Sequence, residues 1–232
     1  MKPVHRQRTI LCDLLDSLTD QQWSAETLCR GWDAGDIAAH MLVREHEPWA
    51  SAGLLLPALN GMHTARMVKW KKEGRESLAR QLREGPPWLA TIGIIGDVQV
   101  GEDYIHAEDV RRGGARDHME GSGADLTPDD GTGDDQILRS LWKAVARFSL
   151  QTFGGIKANG VIALSDGVKS KAYRVGGRLP RPAGHAAPAE TVTVTGPVGE
   201  LLLFVTGRRV TDVHLEGNDR LAAAIEASGR RV

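Results

Sequence analysis

The chain has 232 residues, which is enough for one large domain or two small ones. Hydrophobic residues make up 41% and charged residues 25%, as is typical of a soluble globular protein. The formal net charge of −1 gives no global basic field, so we expect neither nucleic acid nor a membrane as a partner.

Cysteine content and the N-terminal segment indicate the compartment. Cys12 and Cys29 are too few for a disulfide framework, so a reducing cytoplasm is the simple interpretation. The N-terminal segment from Met1 to Arg6 lacks the apolar core of a signal peptide. No stretch approaches the length needed to span a bilayer. We therefore expect a cytoplasmic protein.

Helical spacing of apolar residues begins near the N-terminus. One face of a helix that ends near Thr19 carries Leu11, Leu14, Leu15 and Leu18. A second helix is predicted from Asp33 to about Glu47. The Asp33 carboxylate can cap its first turn, with Asp36 placed three residues later as in a capping box.

Two longer helices are predicted next. One runs over about 62–83 and is ended by the Gly-Pro-Pro sequence that begins at Gly85. The other runs over about 94–112 and is ended by the glycine pair that begins at Gly113. Four helices of this length predict an up-and-down bundle.

Residues 113–135 are rich in glycine, aspartate and serine and show no apolar period, so we predict a mobile, solvated loop. A further amphipathic helix is predicted over about 137–153. We place the boundary of the helical, N-terminal domain here, so that it covers residues 1–150.

The remaining residues, 151–232, mix strands and helices. Strand patterns occur at residues 161–164, 169–175, 191–195 and 210–215. Pro197 stands at the start of one predicted helix, and Asn218 can cap another. These elements predict a small α/β or α+β domain, and the whole chain is expected to be α+β.

Three residues have the spacing of a metal site. Glu102 and His106 are four residues apart, so a helix places both on one face. His40, from a neighbouring predicted helix, would complete a set of two imidazoles and one carboxylate. Such a set with open positions is typical of catalytic metals. Taken singly, however, each histidine could be a hydrogen-bonded core residue and Glu102 a surface acid.

Three further residues are candidates for supporting these ligands. Asp109 can hold the outer nitrogen of a ligand histidine, or it can pair with Arg111 or Arg112 at the surface. Asp36 can act in the same way or only cap its helix. His63 can reach the site as a proton carrier or lie at the surface.

Motifs of other chemistries are missing from the sequence. No Gly-Lys-Ser/Thr triplet occurs, so there is no phosphate-binding loop of the Walker type. Neither the Gly-x-Ser-x-Gly motif of hydrolases nor the His-Glu-x-x-His motif of metalloproteases occurs.

The motifs Gly31-Trp32-x-x-x-Asp36-Ile37-x-x-His40 and Glu102-x-x-x-His106-x-x-Asp109-Val110 resemble those of the mycothiol-dependent maleylpyruvate isomerases. That family belongs to the DinB/YfiT-like superfamily of metal-binding helical bundles. The resemblance covers nearly the whole chain. An actinobacterial branch of the family is especially similar in the segments 43–45, 61–64, 106–112 and 195–201.

The resemblance implies an N-terminal four-helix bundle of DinB type and a small C-terminal α/β domain similar to sterol-carrier folds. It also implies a divalent metal, usually zinc, held by His40, Glu102 and His106, and mycothiol as a thiol cosubstrate. The implied partners are the thiol and a small electrophile, and the implied reaction is a transfer or an isomerisation.

Two other functions remain open from the sequence. The same ligands would serve a metal-dependent hydrolase that uses bound water, and they would also serve a non-catalytic metal-binding module. The sequence leaves the protein as either a monomer or a homodimer.

Overall fold

The computed structural model of the chain describes residues 2–47, 49–50, 60–86, 93–113, 134–183, 190–209 and 211–228. The chain divides into two compact units, Met1–Pro128 and Asp129–Val232. In the described residues the first unit is helical and the strands belong to the second, which confirms the α+β class. None of the described helices is long and apolar enough to cross a bilayer.

The described part of the first unit contains six helices. They are α1 (Pro3–Ser17), α2 (Asp20–Trp23), α3 (Ala34–His46), α4 (Asn60–Lys71), α5 (Arg75–Glu84) and α6 (Gly93–Arg111). Helix α1 packs along α6, and α3 packs against both α4 and α5. Their apolar faces form one core that includes Leu11, Leu15, Ile37, Met41, Leu42, Leu78 and Leu82.

The predicted start of the second helix is confirmed. Asp33 is the N-cap of α3, and its carboxylate accepts a hydrogen bond from the backbone N–H of Asp36 at 2.9 Å. The backbone N–H of Asp33 donates in return to the Asp36 carboxylate at 3.1 Å. The short helix α2, which also begins with a capping box at Thr19, was not predicted.

The single helix predicted over 62–83 is wrong. The structure has two helices there, α4 and α5, separated by Gly74 at φ 86°. This left-handed conformation favours glycine and cannot continue an α-helix. The arrangement of four helices as an up-and-down bundle stays a prediction. The predicted mobile loop at 113–135 falls mostly on residues 114–133, which lie outside the described residues.

The second unit combines helices with one sheet. Its elements are α7 (Asp135–Thr152), β1 (Gly160–Ser165), β2 (Ser170–Val175), β3 (Arg181–Pro182), β4 (Thr191–Thr195), α8 (Val198–Val205), β5 (His214–Gly217) and α9 (Asp219–Ala227). The strand order is β3-β2-β1-β4-β5. Strands β1 and β4 are parallel, and the other neighbours are antiparallel.

Most of the predicted strands and caps agree with these elements. Pro197 is the N-cap residue of α8, and the Asn218 side chain accepts a hydrogen bond from the N–H of Leu221 at the start of α9. Strand β5 begins later than the predicted strand at 210–215. Its register with β4 pairs His214 with Thr195 and ends at Gly217.

The chain divides into its two units between residues 128 and 129, and the domain boundary at residue 150 stays a prediction. Helix α7 buries Leu141, Val145 and Phe148 and packs along α8. Because this packing is internal to the second unit, α7 belongs there. Its position in the sequence had suggested the first domain.

Candidate metal centre

His40 is positioned by the capped start of α3. Ile37 and Val43 on the same helix are fully buried, and His40 itself is 6% exposed. The acids at the start of the helix are also engaged, because Lys71 forms ion pairs with both Asp33 and Asp36. The described contacts of Asp36 are thus the cap and the Lys71 pair, which support the helix and do not orient His40.

Helix α6 contributes the other two predicted ligands. Glu102 and His106 lie one turn apart and are 6% and 5% exposed. The Nε2 atom of His106 lies 3.5 Å from Oε2 of Glu102. The rings of His40 and His106 have centroids 5.0 Å apart. The structure therefore brings all three residues together, with one potential ligand atom from each within 4.8 Å of the others.

A neighbouring side chain holds the Nδ1 atom of each imidazole. His106 Nδ1 lies 3.0 Å from Oδ2 of Asp109, and His40 Nδ1 lies 2.9 Å from Nε2 of His63. Both supporting residues are almost fully buried. Since Nδ1 is engaged in each ring, Nε2 is the nitrogen that can serve as a metal ligand. Of the supporting candidates, Asp109 and His63 are therefore at the site.

Sequence reasoning missed a connection through Cys29. Its thiol donates to Oδ2 of Asp109 at 3.3 Å, and the backbone N–H of Leu28 donates to the Asp109 carbonyl at 2.9 Å. The close approach of this loop requires Gly113, because a Cβ there would lie 2.2 Å from the carbonyl oxygen of Glu26. Cys29, His106 and Asp109 also form a potential ligand group. No local sequence pattern predicts this contact, because Cys29 and Asp109 are 80 positions apart.

Arg44 is the second residue that the sequence analysis missed. It lies one turn after His40 on α3, its side chain is 22% exposed, and its guanidinium forms an ion pair with Oε2 of Glu102. Burial alone would raise the pKa of Glu102, but Arg44 and His106 lower it to about 2. The carboxylate is thus held in its charged form. The spacing of four residues from His40 was the available signal.

The imidazoles differ in their electrostatic surroundings. Burial opposes the charged form of His106, but hydrogen bonds with Asp109, Cys29 and Glu102 raise its pKa well above the ordinary value. Burial lowers the pKa of His63, which favours a neutral ring. The pocket around His106 thus favours a positive charge between two carboxylates. Two imidazoles and one carboxylate are the donor set of several catalytic zinc and iron sites, so these residues fit a divalent metal.

The neighbouring acid on α6 belongs to a different cluster. Asp103 is fully buried and accepts hydrogen bonds from the Arg8 guanidinium at 3.0 and 3.1 Å. Arg8 also donates to Glu45 at 3.0 Å and to the carbonyl of Leu82 at 2.9 Å. The Gln99 amide donates to both acids, at 3.2 and 2.8 Å. We call Arg8, Glu45, Gln99 and Asp103 the Arg8 cluster.

The fold and this site define an α+β protein whose helical unit gathers a buried set of potential metal ligands. A family model described as the mycothiol maleylpyruvate isomerase N-terminal domain matches residues 4–119. The chain belongs to this family, which confirms the resemblance drawn from its motifs.

Two solved structures are similar over most of the chain. One is a mycothiol-dependent maleylpyruvate isomerase, with 16% identity and a TM-score of 0.55. The other is the H52A mutant of a mycothiol-dependent maleylpyruvate isomerase, with 14% identity and a TM-score of 0.57. Each match covers 92% of this chain and 90% of the other. At such low identity the likeness shows a shared fold. No curated protein matches the chain.

Proposed function

We propose that the protein binds one divalent metal ion, most simply zinc, through His40, Glu102 and His106. We further propose that it is an enzyme that uses mycothiol as cosubstrate in an isomerisation or transfer reaction on a small electrophile. The observation that carries the proposal is the convergence of three buried ligand groups from two helices within 4.8 Å. The family membership of the chain and the names of its structural relatives support the thiol and the reaction class.

Three protein ligands leave further positions on a metal open to an outside group. When bound, such an ion lowers the pKa of a coordinated thiol and so favours the thiolate, which is the nucleophilic form. The protein's own part is to hold the ligands in place. Asp109 fixes the His106 ring through Nδ1, and His63 does the same for His40.

Arg44 is the residue that we propose stabilises negative charge on the substrate. Its guanidinium forms an ion pair with Glu102, and part of its side chain is exposed. A cation held at this edge can stabilise negative charge that develops on the substrate when the thiolate adds. Burial of the surrounding groups strengthens this interaction, because water screens it less.

The proposed reaction needs no reactant other than the thiol and the substrate. The thiolate sulfur forms a bond to one carbon of a C=C bond that is conjugated to a carbonyl; the π bond breaks, and its electron pair moves to the carbonyl oxygen as an enolate, while the thiol proton passes to the solvent. In an isomerase, the adduct rotates about the C–C bond that was double, and collapse of the enolate re-forms the C=C bond and expels the thiolate, which takes its proton back. In a transferase, the thioether is the product. The relatives' names favour isomerisation.

Metal content of the purified full-length protein is the first test. We expect one divalent ion per chain by elemental analysis, and its loss in His40→Ala. His46→Ala is the matched control, because His46 lies exposed on the same helix and contacts Trp70. A control variant that loses the ion as completely as His40→Ala, or a wild-type protein without any ion, would overturn the proposal.

Thiol dependence is the second test. Maleylpyruvate, the substrate in the relatives' names, is offered to the metal-loaded protein with and without mycothiol. We expect turnover only when both metal and thiol are present. Turnover that needs the metal but no thiol would instead support the hydrolase, and a bound metal without turnover of any electrophile would support the binding module.

A further inference from the structure

We propose that the second unit carries an anion-binding pocket formed by Arg174, Arg178 and Arg181. Its ligand would be a small organic molecule that bears either a phosphate group or two carboxylates. None of these arginines takes part in the proposed metal chemistry, and the inference does not depend on that function.

The three arginines converge on one concave region. Arg174 is on β2, Arg181 is on β3, and Arg178 lies in the connection between the two strands. The pocket has a volume of about 430 Å³, and its lining includes the three arginines together with Asn159 and Leu179. This volume is within the range of small-molecule sites, which runs from about 300 to 1,000 Å³.

The strand register places like charges face to face. Arg174 and Arg181 are direct partners in the antiparallel pairing of β2 with β3. Side chains that stand directly opposite in such a pair are neighbours, and like charges there are destabilising. The repulsion is relieved if an anion lies between the two guanidinium groups. All three arginines are exposed, so this repulsion is small in the free protein, and a bound anion would turn it into attraction.

In the part of the chain that the structure describes, no acid pairs with these charges. Across the described residues, none of the three guanidinium groups forms a hydrogen bond or ion pair. In the first unit, by contrast, Arg8 and Arg83 each pair with two acids. Three unneutralised guanidinium groups around one pocket favour a ligand with at least two negative charges, and a planar fork matches phosphate or carboxylate oxygens in pairs.

The connection between the strands is built with little freedom. Gly176 has φ 85°, and a Cβ at this position would lie 2.2 Å from Oδ1 of Asn159. Only glycine fits, and its conformation turns the chain so that Arg178 faces the pocket that it lines. Leu179 at the rim is 76% exposed. It offers an apolar surface, so we infer that the ligand has an organic part beside its charged group.

Calorimetric titration of the purified protein tests the pocket. The probes are phenyl phosphate and succinate, which separate a phosphate group from a pair of carboxylates. We expect one of them to bind with 1:1 stoichiometry. Arg174→Gln and Arg181→Gln should each weaken binding about tenfold to a hundredfold, as expected for the loss of a charge-assisted hydrogen bond. Arg147→Gln, which removes an exposed arginine of α7, should leave binding unchanged.

Binding at the candidate metal centre is a separate outcome, and His40→Ala distinguishes it. Retention of the probe in this variant supports the arginine pocket, whereas its loss overturns the assignment. Equal weakening by Arg147→Gln, or no saturable binding of either probe, also overturns it.

Urea unfolding gives a second readout that does not depend on affinity. Without ligand, Arg181→Gln should be at least as stable as the wild type, because the cross-strand repulsion is gone. At one probe concentration, the unfolding midpoint of the wild type should rise by more than that of Arg181→Gln, because the variant binds the probe more weakly. A variant that is clearly less stable than the wild type would contradict the argument from repulsion.

Discussion

Two buried charged clusters meet at adjacent residues of α6, and they differ in how their charges are satisfied. Asp103 belongs to the Arg8 cluster, in which one guanidinium and one amide donate hydrogen bonds to both acids. Glu102 lies beside the imidazoles of His40 and His106. The Nδ1 atom of each ring contacts a supporting side chain, His63 for His40 and Asp109 for His106. The first cluster is complete as a protein structure. The second brings one potential ligand atom from each of His40, Glu102 and His106 within 4.8 Å of the others, as expected of a site for an outside ion.

Buried charges that hold the fold together differ from those that can bind an ion in the pKa of their carboxylates. Both clusters are more than 90% buried, so burial alone does not separate them. The pKa does, because that of Asp103 is raised above the ordinary value by burial, while Arg44 and His106 lower that of Glu102 to about 2. A carboxylate held charged beside a histidine that favours its charged form lies in a pocket that favours a cation.

Removal of Arg8 should give the largest effect on stability. In Arg8→Met, Glu45 and Asp103 would remain buried without their cation, so we expect a loss of about 3–5 kcal/mol in the free energy of unfolding. Metal content per folded chain should not change. Urea denaturation and elemental analysis measure the two quantities.

Arg83→Met is the matched control for this variant. Arg83 pairs with Asp13 and Asp16, but its side chain is 42% exposed. Its loss should change stability by no more than about 1 kcal/mol. If both variants behave alike, the Arg8 cluster is not the structural unit that its contacts indicate.

Acid titration of the metal-free protein should separate the two carboxylates. The folded-state pKa of Glu102 is about 2, below its ordinary value of 4.5. Its contribution to stability is therefore present above about pH 4.5 and is lost as the pH falls towards 2. It amounts to at most roughly 3 kcal/mol. The stability difference between the wild type and Glu102→Gln should shrink over this range.

The pKa of Asp103 is shifted in the opposite direction, so its effect on stability has the opposite sign. A raised pKa means that the folded state takes up its proton first, and the contribution of this group rises as the pH falls. The difference between the wild type and Asp103→Asn should therefore slope the other way. Denaturant unfolding between pH 6 and 3 measures both curves, and parallel slopes would refute the contrast.

The parts of the fold and of the candidate site that were predicted from the sequence depend on local spacing. Glu102 and His106 are separated by one helical turn, and Asp33 and Asp36 have the spacing of a capping box, so both could be read from a few residues. The approach of His40 to α6 was inferred from chemistry, since two imidazoles and a carboxylate suit one ion.

The parts that were missed depend on contacts between distant residues. Arg8 meets Asp103 across 95 positions, and nothing near Arg8 in the sequence distinguishes it from a surface arginine. The break at Gly74 was missed for a different reason. An isolated glycine within a helical pattern is often tolerated, and only the backbone angle of 86° shows that this one is not.

Replacement of Asp109 should weaken the metal site without unfolding the protein. Asp109→Asn keeps the shape of the side chain but loses the charge that holds Nδ1 of His106. We expect metal affinity to fall about tenfold to a hundredfold, as for other residues that orient a ligand histidine. Competition with a chromophoric chelator measures the affinity. Unchanged affinity would mean that the ring is fixed by packing alone.

Replacement of Cys29 is expected to have the smallest effect on metal affinity. The size of this effect decides whether the thiol only supports the ligands or is itself a ligand. The Cys29 thiol donates to Oδ2 of Asp109 at 3.3 Å, and the same oxygen contacts Nδ1 of His106. If its part is only to hold Asp109, Cys29→Ser keeps a donor and should change metal affinity less than about threefold. Cys29→Val, which has no donor, should weaken metal affinity by less than Asp109→Asn does.

Cys29 also lies in a potential ligand group with His106 and Asp109, so the opposite order of the two losses in affinity would identify a different role for the thiol. A larger loss in Cys29→Val than in Asp109→Asn would make the thiol a metal ligand. The candidate centre would then extend beyond the two imidazoles and the carboxylate.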